Sequence, residues 1–316
     1  MAEVVFLFPG QGAQTVGMGK DFYEASPAAR RVYEEAADIL DWDVSEVSFE
    51  GPADELNRTA ISQPAILTTS LAIVEAMREA GCPEVEQCAA AAGLSLGEYS
   101  ALVMAGAMSF SDALELVRKR GQFMEEACQL NPGTMVSVLG LEDGIVEAIC
   151  AQVRETDMVV AANFNSPGQI VISGTREGVR KATDLAKEHG AKRTVPLTVS
   201  GAFHSPLMAP AAERLEDELN KTDISPCRIK VIGNVTAEPV REPDEIRNAL
   251  ARQVSSPVRW SQSMTGLIEN GASRFIEVGP GRVLTTLLRR IDRDSEAENI
   301  STMEMLRARS GNGEDA

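Results

Sequence analysis

Apolar and polar positions alternate along this chain in two rhythms, and their order predicts an α/β protein. Val4 to Phe8 is a short continuous apolar run, as a buried strand requires. It ends in Pro9-Gly10-Gln11-Gly12. Val32, Ala36, Ile39 and Leu40 then form one helical face behind Ser26-Pro27, a cap followed by proline at the first helical position. Gln63 to Ala80 reads as a long helix led by Pro64 and closed by Gly81, and Phe110 to Cys128 as another with Ser111 near its start. Between them, Cys88 to Ala92 reads as a buried strand and Glu98 to Ala105 as a helix.

The rhythm changes from Thr134 to Leu197. Strands are predicted at Met135–Leu139, Val159–Asn163, Gln169–Ser173 and Lys192–Val195, with helices at Asp143–Val153 and Val179–His189. This β-α-β-β-α-β order is the ferredoxin-like unit, which can bury its helices on its own sheet. After it come a helix at Ala211–Asn220, a strand at Arg228–Ile232, and helices at Asp244–Gln253 and Ser261–Asn270. A strand at Arg274–Val278 and a last helix opened by Gly279-Pro280-Gly281 and running to about Ile291 complete the pattern. Alternating strands and helices predict a doubly wound sheet. The expected division is a discontinuous core of residues 1–130 and 198–309, an inserted subdomain of residues 131–197, and a disordered tail of residues 310–316.

The chain has 316 residues, 44% hydrophobic, enough for a large core. A net charge of −17 argues against a general nucleic-acid binder. Five scattered cysteines and two histidines make a metal site improbable and suggest buried thiols in a reducing compartment. The N-terminus shows no basic, cleavable leader, and no apolar stretch approaches the roughly 20 residues of a bilayer span. A cytoplasmic protein without membrane association is expected, and nothing demands more than a monomer.

Candidate chemistry centres on Gly93-Leu94-Ser95-Leu96-Gly97. The G-x-S-x-G spacing between a strand and a helix places a serine on a sharp turn with its hydroxyl exposed. Such a serine needs a base. His189 falls in the last turn of a helix, where a histidine is typically exposed; His204 follows a strand and precedes a helix, where α/β enzymes place catalytic side chains. His204 is therefore the candidate base. A third group should orient it, and spacing selects no acid among many. The amide of Leu96 and one from the glycine-flanked turn at Gln11 are candidate oxyanion donors. Arg118, Lys119 and Arg120 cannot share one helix face, so an inward arginine seeking a carboxylate and a solvated basic patch both remain open. The first turn misses the spacing of both phosphate-loop motifs.

Taken together, these motifs resemble the malonyl-CoA:acyl carrier protein transacylases of fatty acid synthesis. The matching pieces run nearly end to end: Phe8-Pro9-Gly10-Gln11-Gly12, Gly93-Leu94-Ser95-Leu96-Gly97-Glu98-Tyr99, Arg120-Gly121 with Met124, Asn163 to Gln169, Ala202-Phe203-His204, and Glu277 to Gly281. The resemblance implies an α/β-hydrolase-like core with a ferredoxin-like insertion, and an acyltransferase needing no cofactor. It implies that Ser95 is malonylated, that His204 is its base, and that Gln11 and Leu96 supply the oxyanion amides. Arg120 would hold the malonyl carboxylate, the backbone carbonyl of Gln253 would orient His204, and Asn163 would lie near the pocket. Malonyl-CoA and acyl carrier protein would be the partners, with Arg282, Arg289, Arg290, Lys192 and Arg193 as candidate docking residues. The family commonly has histidine where this chain has Leu94. In related acyltransferases of polyketide synthesis, phenylalanine before the active histidine goes with malonyl, so Phe203 leans that way. A serine esterase on the same core would instead pair His204 with a carboxylate, and a non-catalytic binding module would leave Ser95 unlabelled.

Overall fold

A computed structural model describes residues 3–309, and the expected tail of residues 310–316 lies outside them. Ten strands occur among these residues: β1 Glu3–Phe8, β2 Cys88–Gly93, β3 Thr134–Leu139, β4 Val159–Ser166, β5 Gln169–Gly174, β6 Arg193–Pro196, β7 Lys230–Ile232, β8 Pro239–Val240, β9 Ala272–Val278 and β10 Glu296–Ile300. They form two sheets, ordered β10-β9-β1-β2-β7-β8 and β4-β5-β3-β6.

The larger sheet is parallel except for the short β8, which runs against β7. Its central strands are apolar on both faces because helices cover both. Val4, Phe6 and Phe8 point into a cluster with the helix Thr59–Glu79; Val5 and Leu7 point the other way, onto Trp260, Phe275 and Leu284. The strand order reverses at β1, flanked by β2 and β9, so the carboxyl ends of β1 and β2 border a crevice of the kind that holds ligands in open α/β sheets. Gln11 follows β1 and Ser95 follows β2.

The smaller sheet is antiparallel and carries the helices Asp143–Val153 and Arg176–Glu188, with their own apolar cluster. Its four strands lie in the order second, third, first, fourth, the ferredoxin-like arrangement. The two sheets are sewn together at β4. The Phe164 amide donates to the Val258 carbonyl at 2.9 Å, and the Val258 amide donates to Ala162 at 2.8 Å. This seam brings Asn163 over the carboxyl ends of β1 and β2.

Several expectations change. The helix expected from Gln63 runs over Thr59–Glu79, with Pro64 inside rather than at its head. Proline lacks only its own N–H, and so near the start it removes a single bond; the Arg58 carbonyl still anchors Ile61 and Ser62. This helix has 21 residues and mean hydropathy 1.3, long and apolar enough to cross a bilayer, contrary to the expectation that no stretch is. Most of it is buried in the core. The helix expected to be last, Val283–Ile291, is followed by β10 and the helix Met303–Arg309. β10 is a half-exposed edge strand, Glu-Ala-Glu-Asn-Ile, with almost no apolar signal. Four further short helices, Lys20–Ala25, Val44–Glu50, Ala53–Leu56 and Pro83–Glu86, are likewise too short for periodicity to reveal.

The glycine closing the serine motif has a packing reason. A Cβ on Gly97 would stand 2.1 Å from the Phe8 carbonyl oxygen, so only glycine lets the helix Gly97–Met104 start against β1. Gly97→Ala is expected to destabilise the fold by about 1–3 kcal/mol or more through this overpacking. A melting temperature equal to that of the unaltered protein would contradict this account.

Candidate active site

Ser95 sits between β2 and the helix Gly97–Met104 with φ at +53°, a left-handed conformation that costs energy for a residue with a side chain. Two buried amide side chains hold it there. The Ser95 N–H donates to Asn234 Oδ1 at 2.6 Å, and Asn234 Nδ2 donates to the Gly93 carbonyl at 2.7 Å. Gln253 Nε2 donates to the Ser95 carbonyl at 2.9 Å.

Ser95 Oγ lies 2.9 Å from His204 Nε2, although 109 residues separate them. His204 is itself left-handed, with φ at +56°, and its N–H donates to the Val254 carbonyl at 3.1 Å. Its Nδ1 is 2.8 Å from the Gln253 carbonyl. Gln253 ends the helix Pro243–Gln253, whose last carbonyls have no intrahelical partner. A carbonyl only accepts, so Nδ1 carries the proton, and Nε2 is free to accept from the serine hydroxyl. The imidazole is oriented by a helix end, with no carboxylate in the place a hydrolase triad would put one.

The inward reading of Arg120 is the one observed: its side chain is buried in the helix Phe110–Leu130, while Arg118 and Lys119 are half-buried. Its neighbour Gly121 permits this. A Cβ there would meet the Thr59 carbonyl at 2.8 Å, so the two long helices touch backbone to backbone. Arg120 Nη2 donates to Ser95 Oγ and to Gln253 Oε1, each at 3.0 Å, and Nη1 donates to Gln63 Oε1 at 2.6 Å. The guanidinium lies 5.7 Å from the centre of the Tyr99 ring. Among the described residues, no carboxylate forms an ion pair with Arg120.

Burial, and secondarily the charge of Arg120, pull the His204 imidazole down to about 4 from its usual 6.5. The imidazole is thus neutral at neutral pH. Glu98 is also fully buried; burial pushes its carboxyl up to about 7, against the pull of Gln253, Asn234 and Arg120.

A cavity of about 460 Å³ opens onto the pair. Gln11, Leu94, Ser95, Asn163, Phe203 and His204 all line it. Arg120 does not line the open space; it reaches Ser95 Oγ from within the wall. Gln11 lines the cavity, and Leu96 directly follows the serine at the start of the helix Gly97–Met104. The Gln11 side chain is held by Thr59 at 3.2 Å and by Gln63 at 3.4 Å. His189 is exposed at the end of its helix, far in role from this site. The five cysteines are buried and none is in a disulfide. Sequence reasoning missed Asn234, Gln63 and the part played by Glu98. Only Glu98 carried a signal: a carboxylate three residues after the serine, on the first turn of an otherwise apolar helix.

The acyl transferase domain family matches residues 5–312. The chain belongs to that family. It is 47% identical over 308 residues to the malonyl CoA-acyl carrier protein transacylase of Bacillus subtilis (strain 168), covering 97% of this chain and 96% of that one. It is 43% identical over 291 residues to the enzyme of the same name from Escherichia coli (strain K12), covering 92% and 93%. Among solved structures, an acyl-carrier-protein S-malonyltransferase from Burkholderia pseudomallei 1710b superposes with a TM-score of 0.94 at 42% identity, covering 98% of this chain and 99% of that one. A malonyl-transacylase in complex with its type II polyketide acyl-carrier protein superposes with a TM-score of 0.94 at 39% identity, covering 99% and 100%. The two-subdomain α/β architecture is shared with these structures.

The imidazole offers a direct check. With exposed His189 replaced by Gln, one imidazole remains, and its NMR titration is expected near pH 4. Arg120→Ala should move the midpoint upward, because removing a neighbouring positive charge eases protonation. A midpoint that stays put would show that the guanidinium does not act on the base.

Proposed function

We propose that this chain transfers the malonyl group from malonyl-CoA to the phosphopantetheine thiol of acyl carrier protein, supplying extender units for fatty acid synthesis. Family membership supports the reaction class. The observation that carries the substrate assignment is the buried guanidinium 3.0 Å from the nucleophile, with no ion-paired carboxylate of its own. An acyl group that brings a carboxylate to that position must carry it close to its reacting carbon, as malonyl does, and a longer diacid would overshoot.

Ser95 Oγ attacks the thioester carbon while its proton passes to His204 Nε2. The Leu96 and Gln11 amides receive the oxyanion. Collapse breaks the C–S bond, and His204 returns the proton to the departing CoA sulfur. The carrier-protein thiol then gives its proton to Nε2 and attacks malonyl-Ser95, and the serine leaves reprotonated. Arg120 holds the acyl carboxylate through both halves, which orients the ester and occupies space that water would need. Asn163 and Phe203 line the side of the cavity facing the smaller sheet. The same reading assigns catalysis to a core of residues 1–130 and 198–309 and a covering role to residues 131–197, consistent with a cleft bounded by both sheets. A cytoplasmic monomer without membrane or nucleic-acid partners fits this activity and the acidic charge.

The carrier protein of such a pathway is acidic, so docking needs a local basic surface on a chain of net charge −17. Lys192, Arg193 and Arg290 surround one depression. Gln169 lines the catalytic cavity and bonds to Arg290, which sets this depression beside the cleft. Arg282 stands at the other end of the same helix, beside the cavity-lining Val283.

Incubation with malonyl-CoA is expected to add one malonyl mass at Ser95, discharged by holo acyl carrier protein and slowly by water, and Ser95→Ala should abolish it. Rapid malonate release without an adduct would overturn the transferase reading. Arg120→Ala should lower kcat/KM for malonyl-CoA by about 10²-fold or more, as loss of a buried charge partner does, and narrow the preference over acetyl-CoA. Arg290→Glu should raise KM for acyl carrier protein while malonylation of Ser95 proceeds at the unaltered rate. A KM that does not move would remove that surface.

A further inference from the structure

Two hydrogen bonds converge on one carboxylate oxygen that contacts neither the nucleophile nor the base. Glu98 Oε2 accepts from the Asn234 backbone N–H at 3.1 Å and from Gln253 Nε2 at 2.7 Å. Those two residues hold everything else. Asn234 binds Ser95 N and Gly93 O; Gln253 binds Ser95 O and Arg120 through its side chain, and His204 through its carbonyl.

We propose that Glu98 is a positioning residue of the transfer reaction, its Oε2 fixing Asn234 and Gln253 and, through them, the serine turn, the imidazole and the carboxylate-binding arginine. The proposal rests on the roles given above to Ser95, His204 and Arg120.

The chemistry of the Gln253 amide carries the argument. On one side stands a guanidinium, which only donates; on the other stands a carboxylate, which accepts. The amide bridges them with Oε1 toward Arg120 and Nε2 toward Glu98. Flipped, it would set N–H groups against N–H groups and oxygen against oxygen. Glu98 and Arg120 together therefore lock the side chain in one orientation, and in that orientation Nε2 also reaches the Ser95 carbonyl. Without the carboxylate, one face of the lock is gone. The strained turn at Ser95 loses a restraint, and so does the helix end that orients His204.

The placement is specific to this role. Glu98 is the second residue of the helix Gly97–Met104, where the amino-terminal dipole favours a carboxylate. Its other oxygen, Oε1, is buried without a partner. Glu98 and Arg120 are bridged by one amide without touching, so among the described residues the guanidinium has no ion-paired carboxylate.

The test separates geometry from folding. Ser95 in the full chain is labelled with a fluorophosphonate, which needs the serine–histidine pair and no carboxylate site. Malonylation by malonyl-CoA is followed in parallel, with the melting temperature of each variant. Glu98→Ala is expected to slow both labelling and malonylation about 10²-fold, the scale of a misplacement near 1 Å, with KM for malonyl-CoA changed far less than kcat. Glu98→Gln keeps a carbonyl oxygen able to accept both bonds and should recover the rates to within about tenfold of the unaltered enzyme. Should Glu98→Ala not fold, Glu98→Asp, whose oxygen is withdrawn by one methylene, should show the same slowing. Folded Ala or Asp variants that label at the unaltered rate would overturn the proposal, as would a Gln variant no faster than the Ala variant. Failure of the malonyl reading would look different: the unaltered protein would then take no malonyl adduct while its fluorophosphonate labelling still responded to position 98.

Discussion

Arg120 carries a positive charge into the interior beside a nucleophile, and the surrounding structure is arranged around that charge. An arginine cannot shed its proton at any ordinary pH, so burial must be met by hydrogen bonds rather than by neutralisation. Gln63, Gln253 and Ser95 Oγ supply acceptors, and the face of Tyr99 lies beside the guanidinium. Nothing among the described residues pairs with it ionically. The site is therefore built one negative charge short, and on the proposed reading an acyl group bearing a carboxylate completes it. On that reading, selectivity and positioning follow from a single unmet interaction.

The same charge shapes the base. A guanidinium close to the imidazole disfavours a second positive charge, and burial adds to this, so His204 rests neutral and is ready to accept a proton. Orienting it with a carboxylate would add a negative charge that could compete for the arginine. A helix-terminal carbonyl fixes the same tautomer without a formal charge. The choice of orienting group and the choice of substrate are thus connected through electrostatics. Glu98 lies one amide away from Arg120, near enough to contribute to the field and too far to close the vacancy.

Two sheets have to meet for this to work. Ser95 follows β2 of the parallel sheet, His204 lies in the loop after β6, and the Gln253 carbonyl ends a later helix. The seam between β4 and Val258 fixes how the smaller sheet covers the cleft. Ser173 on β5 donates to the Phe203 carbonyl at 2.6 Å, tying that sheet to the residue before the base. The smaller sheet is therefore tied directly to residues that line the cavity.

Local chemistry alone determined much of this protein. The apolar runs of β1 and β2, the capped helix after Ser26 and the β-α-β-β-α-β rhythm from Thr134 depend on neighbours in the chain, and they were legible there. So was Ser95, because its flanking glycines and its strand-to-helix setting are local requirements. The resemblance implies the Gln253 carbonyl as the orienting group and a ligand role for Arg120; spacing leaves both undecided. Edge strand β10 and the shortest helices escaped because they expose or bury too little to leave a period. Tertiary structure alone decided which face Arg120 presents, how Asn234 and Glu98 join the site, and where Lys192, Arg193 and Arg290 gather. The physical reason is distance: hydrogen bonds such as Ser95 to Asn234, 139 residues apart, or Gln253 to Glu98, 155 residues apart, leave no periodic trace in a sequence, since a single polar residue is enough at each end.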